Sequence, residues 1–192
     1  SVFALAWNTR SLSEQGYLLF VGTALLAASV LNVLHTLSYQ GVGVFANHDA
    51  NLPTQLWIAR RYLESVALLL APFCIRRRLN GGALAAAFGG VVALLVWAIF
   101  SGYFPQAYVP GAGLTTFKVV SEYVIAALFL VAALFHYLRR DQFDRQAARD
   151  LIWVLALSAV AEILFTLYVG VYDLPNRLGI GTLMINQVLY FF

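Results

Sequence analysis

Four side chains that could do chemistry share one face of a predicted helix. Trp57, Arg61 and Glu64 follow an i, i+4, i+7 spacing, and Arg60 stands four residues before Glu64. Residues at these spacings lie above one another on a helix, so that guanidinium groups and a carboxylate can pair there. The helix is otherwise strongly apolar, so these charged groups must find partners or a wet cavity.

Two further predicted helices carry ionisable groups at helical spacing. Lys118 and Glu122 are an i, i+4 pair, and Ser158, Glu162 and Thr166 form a stripe. Two interpretations are open: the charges pair only with one another and hold a helix bundle together, or part of the network binds a ligand. Hydrogen bonds between membrane helices average only about 0.6 kcal/mol, which favours the ligand interpretation.

These groups are predicted to lie in the outer half of a membrane, where they line one polar pocket that faces the outside of the cell. Glu162, for example, is about 13 residues into its predicted helix, or roughly 20 Å from the cytoplasmic end of a core about 30 Å thick. The predicted ligand-binding residues are His35, Tyr39, Gln55, Trp57, Arg61, Glu64, Lys118, Glu122, Glu162 and Tyr168.

Other kinds of site have weaker signals. His35, His48 and Asp49 could share a metal, because two histidines and a carboxylate are a known ligand set. His35 and His136 are predicted near opposite membrane surfaces, so the two histidines cannot bind the same haem. A haem bound by His35 alone remains an alternative. The sequence has no nucleophile elbow, phosphate loop, dinucleotide fingerprint or metalloprotease motif. Neither an enzyme nor a nucleic-acid-binding protein is expected, and whether the protein holds a cofactor is left open.

The composition indicates an integral membrane protein. Of the 192 residues, 61% are hydrophobic and 11% are charged, and the mean hydropathy is +0.79. A soluble domain of this size needs more charge on its surface, whereas repeated apolar runs are typical of bilayer-spanning helices. The predicted fold class is all-α: a polytopic helical membrane bundle of about seven transmembrane segments, of which the first and last can be partial. Residues 1–192 are predicted to form a single integral membrane domain.

Arginines mark alternate connections between the predicted segments. They cluster at Arg10, at Arg76 to Arg78 and between Arg139 and Arg149. The positive-inside rule places these connections in the cytoplasm, and the last segment then ends on the cytoplasmic side. After a short apolar piece, the segments are predicted near residues 13–38, 53–75, 83–102, 115–138, 151–171 and from 178 onward.

Runs of residues around the charged groups resemble the third type of membrane-associated sensor domain of bacterial signalling proteins. Three positions depart from that family pattern: Asn32 stands where an acid is frequent, Gln40 where a lysine is frequent, and Arg60 where a small residue is usual. The resemblance begins near Trp7 and covers most of the chain. It is carried by Leu34 to Leu37, Tyr39, Gly41, Asn51 to Ala59, Arg61 to Glu64, Gly113 to Thr115, Phe117, Lys118, Ser121 to Tyr123, Glu162, Phe165 to Val169, Val171 and Tyr172.

The resemblance implies a sensor domain of the bacterial cytoplasmic (inner) membrane that precedes a cytoplasmic module in cyclic di-GMP or two-component signalling. The expected function is to bind a small or amphiphilic ligand and to relay this event to a diguanylate cyclase or histidine kinase module, which these residues do not include. The expected partners are membrane lipids, the ligand, and the signalling module or a second copy of the chain. The alternatives are a structural or accessory membrane subunit with a purely structural polar network, and a haem- or metal-binding membrane protein that uses His35.

Overall fold

The computed structural model describes residues 16–39, 42, 44–45, 48–166 and 178–182. Its long helices confirm the predicted all-α fold, and a two-stranded hairpin and short 3-10 turns connect them. The chain divides into two compact units, Ser1–Phe117 and Lys118–Phe192, which are described separately. The elements are α1 Gly16–Leu37, α2 Asn51–Leu70, α3 Gly81–Phe100, β1 Tyr108–Val109, β2 Gly113–Leu114, α4 Thr116–Leu138 and α5 Arg145–Phe165, with 3-10 turns at Ala71–Cys74 and Arg140–Gln142.

Three helices of the described residues, α1, α3 and α4, are long and apolar enough to cross a membrane. The predicted count of seven spans is therefore not supported. The helix α2 carries Arg60, Arg61 and Glu64 near its middle, and α5 begins at Arg145 and contains Glu162, so both are more polar than ordinary spanning helices. The first predicted segment and most of the last lie outside the described residues.

In the first unit, α1 and α2 pack as an antiparallel pair. His35, near the end of α1, reaches the carbonyl oxygen of Pro53 at the start of α2. At the opposite end of the pair, a Cβ atom on Gly16 would lie 2.9 Å from the carbonyl oxygen of Cys74, so only glycine allows this close approach. Small residues in the interface let the two helices approach closely. The buried core consists of Ala27, Ala28, Leu31, Leu52, Leu56, Ala59, Leu63 and Ile99.

The helix α3 packs against this core mainly through the partly buried residues Phe88, Val92, Leu95 and Val96. Ile99 is its one buried residue, whereas Leu94 and Trp97 are 62% and 56% exposed. Asn80 caps the helix, since its side chain accepts a hydrogen bond from the backbone N–H of Ala83 at 3.1 Å. In a membrane, the exposed apolar face of α3 would contact lipid.

The connection after α3 was predicted as a loop but forms a small antiparallel hairpin. Tyr108 pairs with Leu114, and Val109 pairs with Gly113. Gly111 and Gly113 have φ values of 81° and 86°, a left-handed conformation that glycine adopts at no steric cost. We call the end of the first unit that holds this hairpin the hairpin end; α1 ends there and α2 begins there.

In the second unit, the buried face of α4 combines apolar and charged residues. Ile125 and Phe129 are fully buried on it, and so are Lys118 and Glu122. The helix α5 begins at Arg145 and not near Leu151 as predicted. The reason is the aspartate before it: the Asp144 carboxylate accepts hydrogen bonds from the N–H groups of Gln146 and Ala147, at 2.9 and 3.2 Å, and so starts the helix early. Residues 178–182 are helical, close to the predicted start of the last segment.

Candidate functional site

The charged residues of α2 form a cluster that reaches across to α1. Arg61 Nη1 and Arg60 Nη2 both donate to Glu64 Oε2, at 2.9 and 3.2 Å. Arg60 Nη1 also donates to Asn32 Oδ1 on α1, at 2.9 Å. Arg61 is 1% exposed and Glu64 is 8% exposed, so this carboxylate is held between two guanidinium groups away from the surface. The spacing argument from the sequence therefore gave the correct partners within α2.

Aromatic rings continue the cluster toward the hairpin end. The guanidinium carbons of Arg60 and Arg61 lie 5.0 and 5.8 Å from the centre of the Trp57 ring, within the range of a cation–π interaction. The Trp57 ring lies 5.4 Å from the His35 ring, which in turn lies 5.1 Å from the ring of Tyr39. We call these residues, together with Asn32 and Glu64, the α1–α2 cluster.

The hydrogen bonds of His35 fix the positions of its protons. Its Nδ1 lies 2.8 Å from the carbonyl oxygen of Pro53. A carbonyl oxygen can only accept, so Nδ1 carries hydrogen, and in the neutral ring Nε2 is an acceptor. The Tyr39 hydroxyl lies 3.3 Å from Nε2 and can donate to it. Burial raises the pKa of the Tyr39 hydroxyl, so Tyr39 keeps the proton that it donates. His35 thereby links α1 to the first turn of α2.

Glu64 lies farther along α2 than the sequence suggested. The helix begins at Asn51, and the steps from there to Glu64 amount to roughly 20 Å at 1.5 Å per residue. Glu64 is thus past the middle of the helix, whereas the sequence predicted it in the outer half of the membrane. A narrow cleft between α1 and α2 adjoins it on the side away from the hairpin end. The cleft is lined by Val21, Ala24, Leu25, Glu64, Ala67 and Leu68.

Gln55, which was predicted to bind ligand, contacts the hairpin connection in the structure. Its Nε2 donates to the carbonyl oxygens of Phe104 and Pro105, at 3.0 and 2.9 Å. One turn earlier, Asn51 Oδ1 accepts from the backbone N–H groups of Ala107 and Tyr108. These two amides fasten the hairpin to the start of α2, so Gln55 positions the hairpin in the structure.

The second unit has its own buried ion pair. Lys118 Nζ contacts Glu122 Oε1, and both side chains are at most 2% exposed. Glu162 and Ser158 are buried on α5, as their predicted stripe requires. Each unit is described by itself, so the prediction that these residues join the α1–α2 cluster in one site stays a prediction. Tyr168, also predicted to bind ligand, lies outside the described residues.

Comparison with known proteins identifies the family. A family model described as a membrane-associated sensor domain, MASE3, matches residues 1–189. The chain belongs to the MASE3 family. The resemblance inferred from the sequence is confirmed, and the role of a membrane sensor domain follows from it. MASE3 is described as a sensor and not as a catalytic domain. No curated protein and no solved structure matches the chain.

Two members of the α1–α2 cluster of this MASE3 domain, Asn32 and Arg60, were missing from the predicted ligand-binding residues. Asn32 lies three positions before His35, on the same face of α1, and this spacing was the signal that could have identified it. The alternative of a metal shared by His35 and His48 gains no support. The His48 ring lies 5.9 Å from that of Phe100, and no three His, Cys, Asp or Glu residues of the described ranges lie together as metal ligands would.

Proposed function

We propose that this MASE3 domain binds a small or amphiphilic ligand at the α1–α2 cluster and relays the binding event to a cytoplasmic signalling module. The observation that carries the proposal is the position of the cluster. Arg60, Arg61 and Glu64 stand in the middle of a helix whose neighbours are apolar, and Arg60 is still 14% exposed. Polar groups at such depth in a membrane protein commonly mark a binding or transport site.

Charged side chains are not needed to hold α1 and α2 together. The apolar core between α1 and α2 already joins the two helices through buried residues such as Leu31 and Leu56. Burying an ion pair costs desolvation energy, and replacement of such a pair by apolar residues is often neutral for stability. The cluster therefore favours recognition of a ligand over simple support of the bundle.

The proposed orientation places the arginine-rich connections in the cytoplasm of a bacterial inner membrane and gives the multi-pass chain a cytoplasmic C-terminus. Within the first unit, Arg76 to Arg78 follow the end of α2 that meets Gly16, opposite the hairpin end. With these arginines in the cytoplasm, as the positive-inside rule predicts, the hairpin end of this unit faces the outside. A diguanylate cyclase or histidine kinase is the proposed output module, with a second copy of the chain as a further partner, and residues 1–192 act as one sensor domain.

Native mass spectrometry of the protein released from membranes tests ligand binding, with thermal unfolding in detergent measured on the same samples. The variants are Arg61→Gln, Glu64→Gln, Lys118→Gln and Glu162→Gln, and the control is Arg77→Gln, which changes an exposed arginine at the far end of α2. We expect a specific non-bulk ligand in the wild type and in the control. At least one of the four buried-site variants should lose this ligand but keep cooperative unfolding.

Two results would contradict the proposal. If all four variants merely unfold, or if all four keep both the fold and the same bound molecules, the charged residues act as a scaffold. Cysteine-accessibility labelling in oriented vesicles tests the orientation separately, with one cysteine in place of Asp49 and another in place of Arg140. Labelling of both positions from the same side would overturn the proposed topology.

A further inference from the structure

Building on the proposed function, we infer that the ligand is a neutral, lipophilic molecule with a flat ring that bears carbonyl oxygens. Membrane-soluble quinones are the chemical class that has these properties. Four features lead to this class: the order of polar and apolar groups along the helices, the charges already in place, the depth of Arg60 along α2, and the aromatic rings of the α1–α2 cluster.

The groups along the α1–α2 groove are ordered as in an amphiphile. From the hairpin end inward, Tyr39 lies just past the end of α1, and His35 and Asn32 follow on α1 beside Trp57 and Arg60 of α2. Beyond Glu64 the cleft becomes apolar, with Val21, Ala24 and Leu25 facing Ala67 and Leu68. The cleft is closely packed, so a ligand that fits this order has a ring with polar atoms at the cluster and an apolar tail on the lipid-facing surface beside the cleft.

The charges of the cluster are compatible with a neutral acceptor and exclude a cation. Glu64 Oε2 accepts from both guanidinium groups, so the three side chains have a net positive charge that repels a cation. An anion would have to lose its hydration to reach Arg60, a cost that a neutral acceptor does not have. A carbonyl oxygen adds no charge and can still accept a hydrogen bond. Arg60 uses two N–H groups for Asn32 and Glu64, out of the five that a guanidinium offers.

Depth argues against a phospholipid headgroup. From Asn51, where α2 begins, to Arg60 the helix rises roughly 14 Å. Half of a typical hydrocarbon core is about 15 Å, so Arg60 is close to the midplane if α2 spans the bilayer from the hairpin end. A phosphate would have to leave the headgroup region to reach it, whereas an uncharged ring can enter the hydrocarbon without that cost.

The rings of the cluster offer a surface for a flat molecule. The rings of His35 and Trp57 are 5.4 Å apart and tilted by 49°, and Tyr39 is 49% exposed at the hairpin end. Aromatic side chains favour offset or edge-to-face contacts with another ring. Trp57 is therefore predicted to contact the ring of the ligand, and its fluorescence gives a direct measure of binding.

The test uses the full chain in phospholipid nanodiscs with decylubiquinone as the probe. Trp7, Trp97 and Trp153 are replaced by phenylalanine, which leaves Trp57 as the one remaining tryptophan. Quinones quench indole fluorescence on contact. A matched protein that keeps only Trp97, an exposed residue on α3, measures quenching by quinone dissolved in the lipid.

We expect saturable quenching of Trp57 and unsaturable quenching of Trp97. Arg60→Gln should raise the dissociation constant about 10-fold or more, since a hydrogen bond from a charged donor is lost. Arg77→Gln should leave it unchanged. If Arg60→Gln fails to unfold cooperatively, Arg60→Lys replaces it, because lysine keeps a positive charge beside Glu64 but not the planar fork. Lysine should still weaken binding several-fold, and wild-type affinity in the folded variant would overturn the inference.

A second probe separates this inference from the proposed function. Dibromostearate, an anionic amphiphile, also quenches tryptophan on contact. Saturable quenching of Trp57 by dibromostearate, lost in Arg60→Gln and absent with decylubiquinone, would show a ligand site of the wrong class and so overturn the inference alone. If neither probe quenches Trp57 more than Trp97, the ring-carbonyl ligand is rejected, and a wild type free of specific ligand by mass spectrometry would reject the proposed function as well.

Discussion

The substitution Glu64→Gln gives the sharpest test of the ion-pair cluster. It keeps the shape of the side chain and one oxygen acceptor but removes the negative charge that faces Arg60 and Arg61. Because Glu64 and Arg61 are 8% and 1% exposed, water cannot easily replace the lost charge. The variant should fold and be less stable than the wild type.

The expected loss follows from the two contacts of Glu64 Oε2, at 2.9 Å from Arg61 and 3.2 Å from Arg60. A hydrogen bond that involves a charged group contributes about 1.5–3 kcal/mol, roughly twice the value of a neutral one. An amide oxygen keeps part of each bond, so the free energy of unfolding should fall by about 2–3 kcal/mol. Complete loss of a buried partner would cost about 3–5 kcal/mol, which sets the upper limit.

The free energy of unfolding can be measured by denaturant titration in mixed micelles. Asp150→Asn is the matched control, because it makes the same chemical change in an exposed ion pair. Asp150 lies 3.3 Å from Arg149, whose side chain is 67% exposed, and such surface pairs contribute about 0–1 kcal/mol. If Glu64→Gln costs no more than Asp150→Asn, the buried ion pair as we describe it is wrong.

Three other outcomes follow from the structure. Arg76 has a φ of 58°, so Arg76→Gly should raise the free energy of unfolding by about 1 kcal/mol in the same titration; a clear loss of stability would contradict the left-handed turn. Asn51→Ala should speed hydrogen exchange at the N–H groups of Ala107 and Tyr108, which both donate to Asn51; unchanged protection there would refute the clamp. Burial raises the pKa of the Tyr39 hydroxyl, so an ultraviolet difference titration of wild type against Tyr39→Phe should have its midpoint above the ordinary tyrosine value, and a midpoint at or below that value would contradict it.

The sequence predicted most helices well because their boundaries depend on local features. Apolar runs defined α1, α3 and α4, and Asn80 marks the start of α3 as both a cap and a turn residue. The sequence analysis missed the start of α5 because the first turn of this helix is polar. The prediction relied on periodic apolar residues, and the first turn has too few of them. The Asp144 cap was the available signal, since an aspartate before a helical stretch satisfies free N–H groups.

The site was predicted in part, for the same reason. The contacts of Arg60 and Arg61 with Glu64 follow from positions on one helix, and the spacing predicted them. The same spacing placed Trp57 beside Arg61. The partners on other elements did not follow. The amide of Gln55 is engaged by carbonyl groups about fifty positions away in the chain, and no periodicity within α2 indicates that the hairpin returns to it. A glutamine at the start of a helix looks equally suited to a ligand and to a backbone clamp.

Asn32 and Arg60, two of the positions expected from the sequence to depart from the family pattern, contact each other. Arg60 brings an additional positive charge to the middle of α2, and its Nη1 donates to the Asn32 oxygen at 2.9 Å. Arg61 and Glu64 still pair at 2.9 Å, so the additional guanidinium joins the ion pair without displacing it. Asn32 supplies an acceptor without a second negative charge, and Glu64 is left as the one carboxylate within this group of four residues. The pair thus makes the α1–α2 cluster richer in donors on its exposed side, where a ligand with carbonyl oxygens would approach.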